Sequence, residues 1–149
     1  MNDLFYMERA LQQAKLASAK EEIPVGAVIV LENEIIAESH NNSITNLDPS
    51  CHAEIEVIKL AASRLGNYRI LDAVMYVTLE PCMMCCGALV HARIKEVVFG
   101  AKDSKSGAVL SNANLLDSHF LNHKVNYRQG PLEEESANLL KNFFSKKRN

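Results

Sequence analysis

The sequence contains no hydrophobic run that approaches the roughly 20 residues needed to cross a bilayer. Its first residues also lack the basic stretch followed by an apolar stretch that marks a secretory signal. No internal repeat, low-complexity tract or domain linker divides the chain. We therefore expect a cytoplasmic protein without membrane association, folded as one domain over residues 1–149.

The net charge is small, and a formal value of −2 gives no overall attraction to nucleic acid. Positive charge is concentrated at one end, because residues 138–149 contain no acidic residue and four basic ones, Lys141, Lys146, Lys147 and Arg148. Such an end is about as typical of a solvated helix terminus as of an RNA contact. The composition therefore supports only a local contact with nucleic acid.

The cysteines point to metal binding rather than to disulfides, because three of the four lie at positions 82–86 and no export signal is visible. Pro81 can start a helix, which would place the thiols of Cys82 and Cys85 on one face of its first turn. A metal ion could bind both sulfurs there. Cys86 lies four residues after Cys82 and shares that face, so it remains an alternative ligand.

A second motif, His52-Ala53-Glu54, offers the rest of a catalytic metal site. Catalytic zinc commonly has three protein ligands and a water, and His52 would be the third ligand after the two cysteines. Glu54 would then act on the water. Two helical residues differ by about 200°, but both side chains can reach a centre beside the first turn because they tilt toward the N-terminus. The plain alternatives are a buried histidine, small apolar cysteines and a solvated carboxylate.

The two motifs together, H-x-E followed by P-C-x-x-C, are the signature of zinc deaminases, in which the glutamate is the general acid and base. Hydrophobic patterning places each motif where a loop or strand leads into a helix, with Asp48 or Ser50 as the predicted cap of the first. Strands are predicted at 25–30, 35–38, 74–79, 96–100 and 124–127. Helices are predicted at about 3–20, from the cap to 65, at 82–91 and at about 132–147. Strands separated by helices indicate an α/β layered domain around one mixed sheet.

The sequence resembles the bacterial tRNA-specific adenosine deaminases from its first predicted helix to its last. The matching segments are 24–28, 40–41, 52–54, 67–69, 76–82, 98–101, 122–123 and 143–144, with Asp103, Lys105 and Gly107. Deaminases of free cytidine share only the zinc motifs. The resemblance implies a cytidine-deaminase-like three-layer α/β/α sandwich with a five-stranded mixed sheet, a homodimer, and one Zn²⁺ per subunit.

The resemblance also implies roles for individual residues. The zinc ligands are His52, Cys82 and Cys85, and Glu54 is the catalytic proton shuttle. Asn41 hydrogen-bonds the flipped base, and Ala53 and Val28 line its pocket. Asp103 and Lys105 match the loop that meets the tRNA anticodon loop. Phe144 and Arg148 fall in the C-terminal helix that contacts RNA, and the resemblance also gives His123 an RNA role.

The implied activity is the hydrolytic deamination of adenosine to inosine at the wobble position of a tRNA anticodon, with an ACG-anticodon arginine tRNA as substrate. The alternative is a zinc deaminase of a free base or nucleoside, of the cytidine or guanine type. A third class, a zinc-stabilised RNA-binding protein without activity, would have no need of Glu54.

Overall fold

The computed structural model describes residues 2–148, and of Arg148 only the backbone. Within this range the chain forms four α-helices and five strands. The helices are α1 (Asp3–Ala19), α2 (Ala53–Leu65), α3 (Met83–His91) and α4 (Glu133–Arg148). The strands are β1 (Gly26–Leu31), β2 (Glu34–His40), β3 (Val74–Leu79), β4 (Glu96–Ala101) and β5 (Asn126–Gln129). None of the helices in this range is both long and apolar enough to cross a membrane.

The strands form one sheet in the order β2-β1-β3-β4-β5. The hairpin strand β1 is antiparallel to β2 and to β3, whereas β4 and β5 run parallel to β3. The predicted mixed five-stranded sheet is therefore confirmed, with β3 at its centre. Helix α3 is the crossover that connects the neighbouring parallel strands β3 and β4.

Alternate side chains of the central strands enter two separate apolar clusters. Val28, Tyr76 and Val98 face α1, and α4 lies on this side because it packs against α1, β3 and β4. The opposite faces carry Ile29 and Met75, which pack with residues of α2 and α3. Helices thus cover both faces of the sheet, and the predicted three-layer α/β/α sandwich is confirmed.

One end of the sheet collects the segments that carry both motifs. β2 ends at His40 opposite Gly26, the first residue of β1, and β3 ends at Leu79 opposite Ala101, the last residue of β4. The chain leaves β2 toward α2 and leaves β3 toward α3 at this end. Because helix N-termini expose unpaired N–H groups, this end of the sheet is suited to bind charged groups.

The predicted cap of α2 is wrong. Neither Asp48 nor Ser50 caps it, because the backbone N–H and the hydroxyl of Ser50 both donate to Asp48, at 2.8 and 2.7 Å. His52 occupies the N-cap position with an extended backbone and without a capping side-chain hydrogen bond. The imidazole is therefore free for another role.

Candidate active site

The structure brings His52, Cys82 and Cys85 together. Their ligand atoms all lie within 4.8 Å of one another, and His52 Nδ1 is 3.6 Å from each sulfur. Zinc bonds of about 2.3 Å to sulfur and about 2.0–2.1 Å to nitrogen, at tetrahedral angles, would separate nitrogen from sulfur by about 3.6 Å. The group therefore has the spacing of three zinc ligands that leave a fourth position open.

The local backbone explains how two distant motifs meet. His52 is the N-cap of α2 and Cys82 is the N-cap of α3, both in extended conformations without side-chain capping bonds. Cys85 follows in the first turn of α3, where it is fully buried. Two helix N-termini thus converge on one point, and their positive ends favour the thiolate form that binds metal.

The electrostatics distinguish the cysteines. The Cys85 thiol and the His52 ring, both hydrogen-bonded to the Cys82 sulfur, hold the pKa of Cys82 at about 3 despite its burial. The same contact with Cys82, together with burial, raises the pKa of Cys85. Cys82 is therefore the first thiolate of the group.

Cys86 lies apart from the three ligands. Its thiol donates to the backbone carbonyl of Pro81 at 3.9 Å, and its side chain packs in the apolar core between the sheet and α3. Burial raises the pKa of Cys86 to about 12. The alternative in which Cys86 replaces Cys85 as a ligand has no support from this arrangement.

Glu54 is buried beside the same group, with only 4% of its surface exposed. Burial raises the pKa of Glu54 to about 7, although its own backbone N–H and the nearby His52 charge act in the opposite direction. The Cys85 thiol also acts to lower the pKa of Glu54, but burial outweighs it. A carboxyl with a pKa near neutrality can both accept and deliver a proton.

A pocket of about 950 Å³ opens beside these residues. Its walls come from the loop after β2, the start of α2, the loop after β4 and the inner face of α4. Five of the predicted substrate positions line it, namely Asn41, Ala53, Asp103, Lys105 and Phe144. Three further lysines, Lys102, Lys141 and Lys147, line it as well.

The polar lining residues are held by backbone contacts. The backbone N–H of Asn41 donates to the carbonyl of Val25 at 3.1 Å, and its side-chain oxygen accepts from Ser43 at 3.2 Å. Asp103 accepts from the backbone N–H groups of Lys105 and Ser106, each at 3.1 Å. The Asp103 carboxylate therefore shapes the turn that exposes Lys105 to the pocket.

The prediction for Val28 is wrong. Val28 is fully buried among Tyr6 and Tyr76 on the α1 side of the sheet, and it does not line the pocket. Its neighbours Ala27 and Ile29 point to the opposite side, toward the cluster that contains Ala53. Because side chains alternate along a strand, Val28 cannot face the same way.

Another predicted position, His123, is not among the residues that line the pocket. His123 Nε2 lies 2.8 Å from the carbonyl oxygen of Ile94, just before β4 begins, whereas the pocket borders the end of that strand. An RNA contact by His123 stays a prediction that its position in a single chain does not support. The side chain of Arg148 lies outside the described residues.

Sequence reasoning missed two buried carboxylates next to the pocket. Glu22 is fully buried and accepts hydrogen bonds from the backbone of Ile44 and Thr45 and from the Thr45 hydroxyl. Glu80 is 2% exposed, lines the pocket and accepts hydrogen bonds from the loop after β4. No local pattern in the sequence separates them from solvated glutamates, although Glu80 lies within a segment of the resemblance.

Comparisons with known proteins identify relatives over the whole chain. The family model described as MafB19-like deaminase matches residues 1–148. A relative named tRNA-specific adenosine deaminase, from Aquifex aeolicus, is 48% identical over 149 residues, which cover 100% of this chain and 98% of the relative.

Solved structures agree with this result. One, from a study of A-to-I editing by tRNA:A34 deaminases at the wobble position of transfer RNA, is 42% identical with a TM-score of 0.89, over 91% of this chain and 99% of its own. A guanine deaminase from Bacillus subtilis is 32% identical with a TM-score of 0.68, over 100% of this chain and 96% of its own. The chain therefore belongs to the MafB19-like deaminases and to the family of the tRNA-specific adenosine deaminases.

Proposed function

We propose that this protein converts adenosine to inosine by hydrolysis at the wobble position of a tRNA anticodon. The observation that carries the proposal is the buried Glu54 carboxyl beside the His52, Cys82 and Cys85 group, in a pocket edged with lysines. The family supports the substrate, because the relative from Aquifex aeolicus, at 48% identity, is named tRNA-specific adenosine deaminase. The similar structure at 42% identity comes from a study of A-to-I editing at the wobble position of transfer RNA.

The three ligands would hold one zinc ion through His52 Nδ1 and the two sulfurs. Zinc bound there supplies Lewis acidity, which lowers the pKa of a water from about 15.7 toward neutrality. Cys82 and Cys85 contribute two negative charges when both are thiolates, and His52 contributes a neutral ring. This donor set leaves the chain itself to move the protons of the reaction.

Glu54 is the residue that moves them. It accepts a proton from the attacking water and delivers it to N1 of adenine while the water oxygen bonds to C6. It then takes the remaining proton of that oxygen and delivers it to the amino group. The C6–N bond breaks, ammonia leaves, and the oxygen stays on C6 as the carbonyl of inosine. A pKa of about 7 suits Glu54 to both roles, because neither of its protonation states is strongly disfavoured near neutral pH.

The adenine must leave a stacked loop to reach this site. Extruding a base costs a few kcal/mol and costs least for a nucleotide that is already single-stranded, as in an anticodon loop. The pocket volume of about 950 Å³ lies at the upper end of the range for ligand sites, which suits a nucleotide with its neighbours. Asn41 and Ala53 line this pocket together with His52 and Cys82, and they are proposed to contact the base.

The outer part of the pocket favours RNA over a free base. Lys102, Lys105, Lys141 and Lys147 line it and are exposed, so they can bind phosphates. Phe144, on α4, is 41% exposed and can stack on an unpaired base. A free base carries no phosphate, and its binding would not need four lysines.

The finer expectations from the sequence belong to the same proposal. They are an arginine tRNA with an ACG anticodon as substrate, one zinc per subunit, a homodimer, a single domain whose C-terminal helix contacts RNA, and a cytoplasmic location.

Inosine formation is the direct test. Zinc-loaded protein is incubated with an ACG-anticodon arginine tRNA and, in parallel, with free adenosine, cytidine and guanine. We expect inosine at the wobble adenosine and no product from the free compounds. A product from a free base, with none in the tRNA, would contradict the proposal.

A second candidate, deamination of a free base, is favoured by the similarity to the guanine deaminase from Bacillus subtilis. The two candidate functions differ in whether binding of the substrate needs the lysines of the pocket. If the substrate is a free base, the double substitution Lys105→Glu and Lys141→Glu leaves turnover unchanged. If it is tRNA, the same double variant loses most of its activity at low substrate concentration.

A further inference from the structure

A buried carboxylate connects the cysteine helix, which is α3 with its N-cap Cys82, to the loop that carries Asp103 and Lys105. Glu80 lies between the last residue of β3 and the Pro81 that precedes α3, two positions before the ligand Cys82. Its side chain lines the pocket and is 2% exposed. It contacts residues 103–111, which follow β4, rather than its own helix.

Five donors of that loop converge on the two Glu80 oxygens. Oε1 accepts from the backbone N–H of Asp103 at 3.1 Å and from the Ser111 hydroxyl. Oε2 accepts from the backbone N–H groups of Val109, Leu110 and Ser111, at 3.1, 2.8 and 2.9 Å. An ionised carboxylate only accepts hydrogen bonds, so it can satisfy all five donors at once.

The loop is shaped to fit around this side chain. A Cβ atom at Gly107 would overlap the carboxyl group of Glu80, so only glycine permits this close approach. The next residue, Ala108, donates its backbone N–H to the carbonyl of Pro81 at 2.9 Å. The loop is therefore joined to the two residues before Cys82, through the side chain of Glu80 and the carbonyl of Pro81.

The same loop supplies one wall of the pocket. Residues 102–106, which include Asp103 and Lys105, all line it. Glu80 holds this stretch at Asp103 and again just after it, at residues 109–111. A shift of the loop would change the distance from these side chains to the metal ligands without moving the ligands themselves.

We propose that Glu80 is a positioning residue, which fixes the loop of residues 102–111 against the cysteine helix and thereby sets the affinity for the RNA substrate. It takes no part in the proton transfers, which belong to Glu54. The role in RNA affinity depends on the proposed function, whereas the fixing of the loop does not.

The test uses Glu80→Gln in the full-length, zinc-loaded protein. The amide has the same size, but its NH₂ group would face N–H donors, so some of the five hydrogen bonds must break. We expect amide hydrogen exchange at 109–111 to become at least about tenfold faster, since exchange follows local opening. We also expect KM for the tRNA to rise about tenfold, kcat to stay within about twofold, and the zinc content to be unchanged.

A second variant, Gly107→Ala, displaces the loop while Glu80 remains intact. Its added methyl group meets the carboxyl, so the same rise in KM at constant kcat is expected even if Glu80→Gln does not fold. The matched control is Asp117→Asn, because Asp117 accepts from Lys124 and Tyr127 and does not line the pocket. The control should change neither KM nor exchange at 109–111.

Three results would overturn the proposal. They are unchanged exchange at 109–111 in Glu80→Gln, faster exchange with an unchanged KM, and a fall in kcat at constant KM, which would assign Glu80 to the chemistry. If the wild-type protein forms no inosine in tRNA, the proposed function fails instead. Exchange and zinc content then still decide whether Glu80 fixes the loop.

Discussion

The ring nitrogen Nδ1 of His52 lies 3.6 Å from the sulfur of Cys82, thirty positions further along the chain. The contact depends on the central strand. Because β3 lies between α2 and α3 in the sequence and ends beneath both of their N-termini, each helix can offer its N-cap residue to the same point. Neither residue caps its own helix with its side chain, which leaves both free to bind a metal ion.

Loss of a ligand should remove zinc and activity together. Cys82→Ser replaces the thiolate of lowest pKa with a hydroxyl, which is a poor zinc ligand. We expect the purified variant to contain little zinc and to be inactive, as measured by metal analysis and inosine formation. The matched control is Cys86→Ser, whose thiol lies outside the ligand group. If Cys86→Ser loses the metal and Cys82→Ser retains it, the assignment of the ligands is wrong.

Removal of the proton shuttle should separate chemistry from binding. Glu54→Gln has nearly the same size as the native residue but cannot accept a proton, so kcat should fall by about 10²–10⁴-fold. Zinc content and tRNA affinity should stay at their wild-type values, because Glu54 is not among the ligands and is 4% exposed. Single-turnover kinetics and a binding assay measure the two effects. Retained turnover would mean that Glu54 is not the proton shuttle.

Reversal of one charge at the edge of the pocket should lower the affinity for RNA. It should also make that affinity depend less steeply on salt concentration. Lys141→Glu removes a lysine of α4 that lines the pocket. The slope of log affinity against log salt should fall by about 0.7 for a lost phosphate contact with a single strand. Lys15→Glu, at an exposed position of α1 outside the pocket, is the control and should change the slope less. Equal effects of both substitutions would indicate a general charge effect.

Most of the metal site could be predicted because its residues lie in two short sequence motifs. The three-residue spacing of Cys82 and Cys85, and the order of His52 and Glu54, are visible without knowledge of the fold. The hydrophobic pattern located β3 at the residues that the structure gives. The start of α2 was predicted wrongly, because Asp48 accepts a hydrogen bond from Ser50 instead of capping the helix.

The errors concern contacts between distant segments. Five of the six residues of β1 are buried, so apolar character alone could not show which face Val28 occupies. Glu22 and Glu80 interact with loops that begin more than twenty positions later, at Ile44 and Asp103. A single sequence does not show that a glutamate will be buried against backbone N–H groups from such a distance.

The buried Glu22 should make the free energy of unfolding depend on pH in the acidic range. Burial acts to raise the pKa of Glu22, but the hydrogen bonds from Thr45 and Ile44 outweigh it and hold the pKa below its usual value. A carboxyl with a depressed pKa stabilises the fold above its unfolded pKa of about 4.3, and this contribution is lost as pH falls through the folded value. Glu22→Gln should therefore cost about 1–3 kcal/mol of unfolding free energy at pH 7 and progressively less below about pH 4.

Urea unfolding at several pH values measures this difference. Other carboxylates and the metal ligands also titrate in acid, so the informative quantity is the difference between variant and wild-type at each pH rather than either stability alone. Glu34→Gln, at an exposed position at the start of β2, is the control and should show little difference at any pH. A constant deficit of Glu22→Gln from pH 7 to pH 3 would mean that packing, rather than the ionised carboxylate, holds the loop behind Asn41.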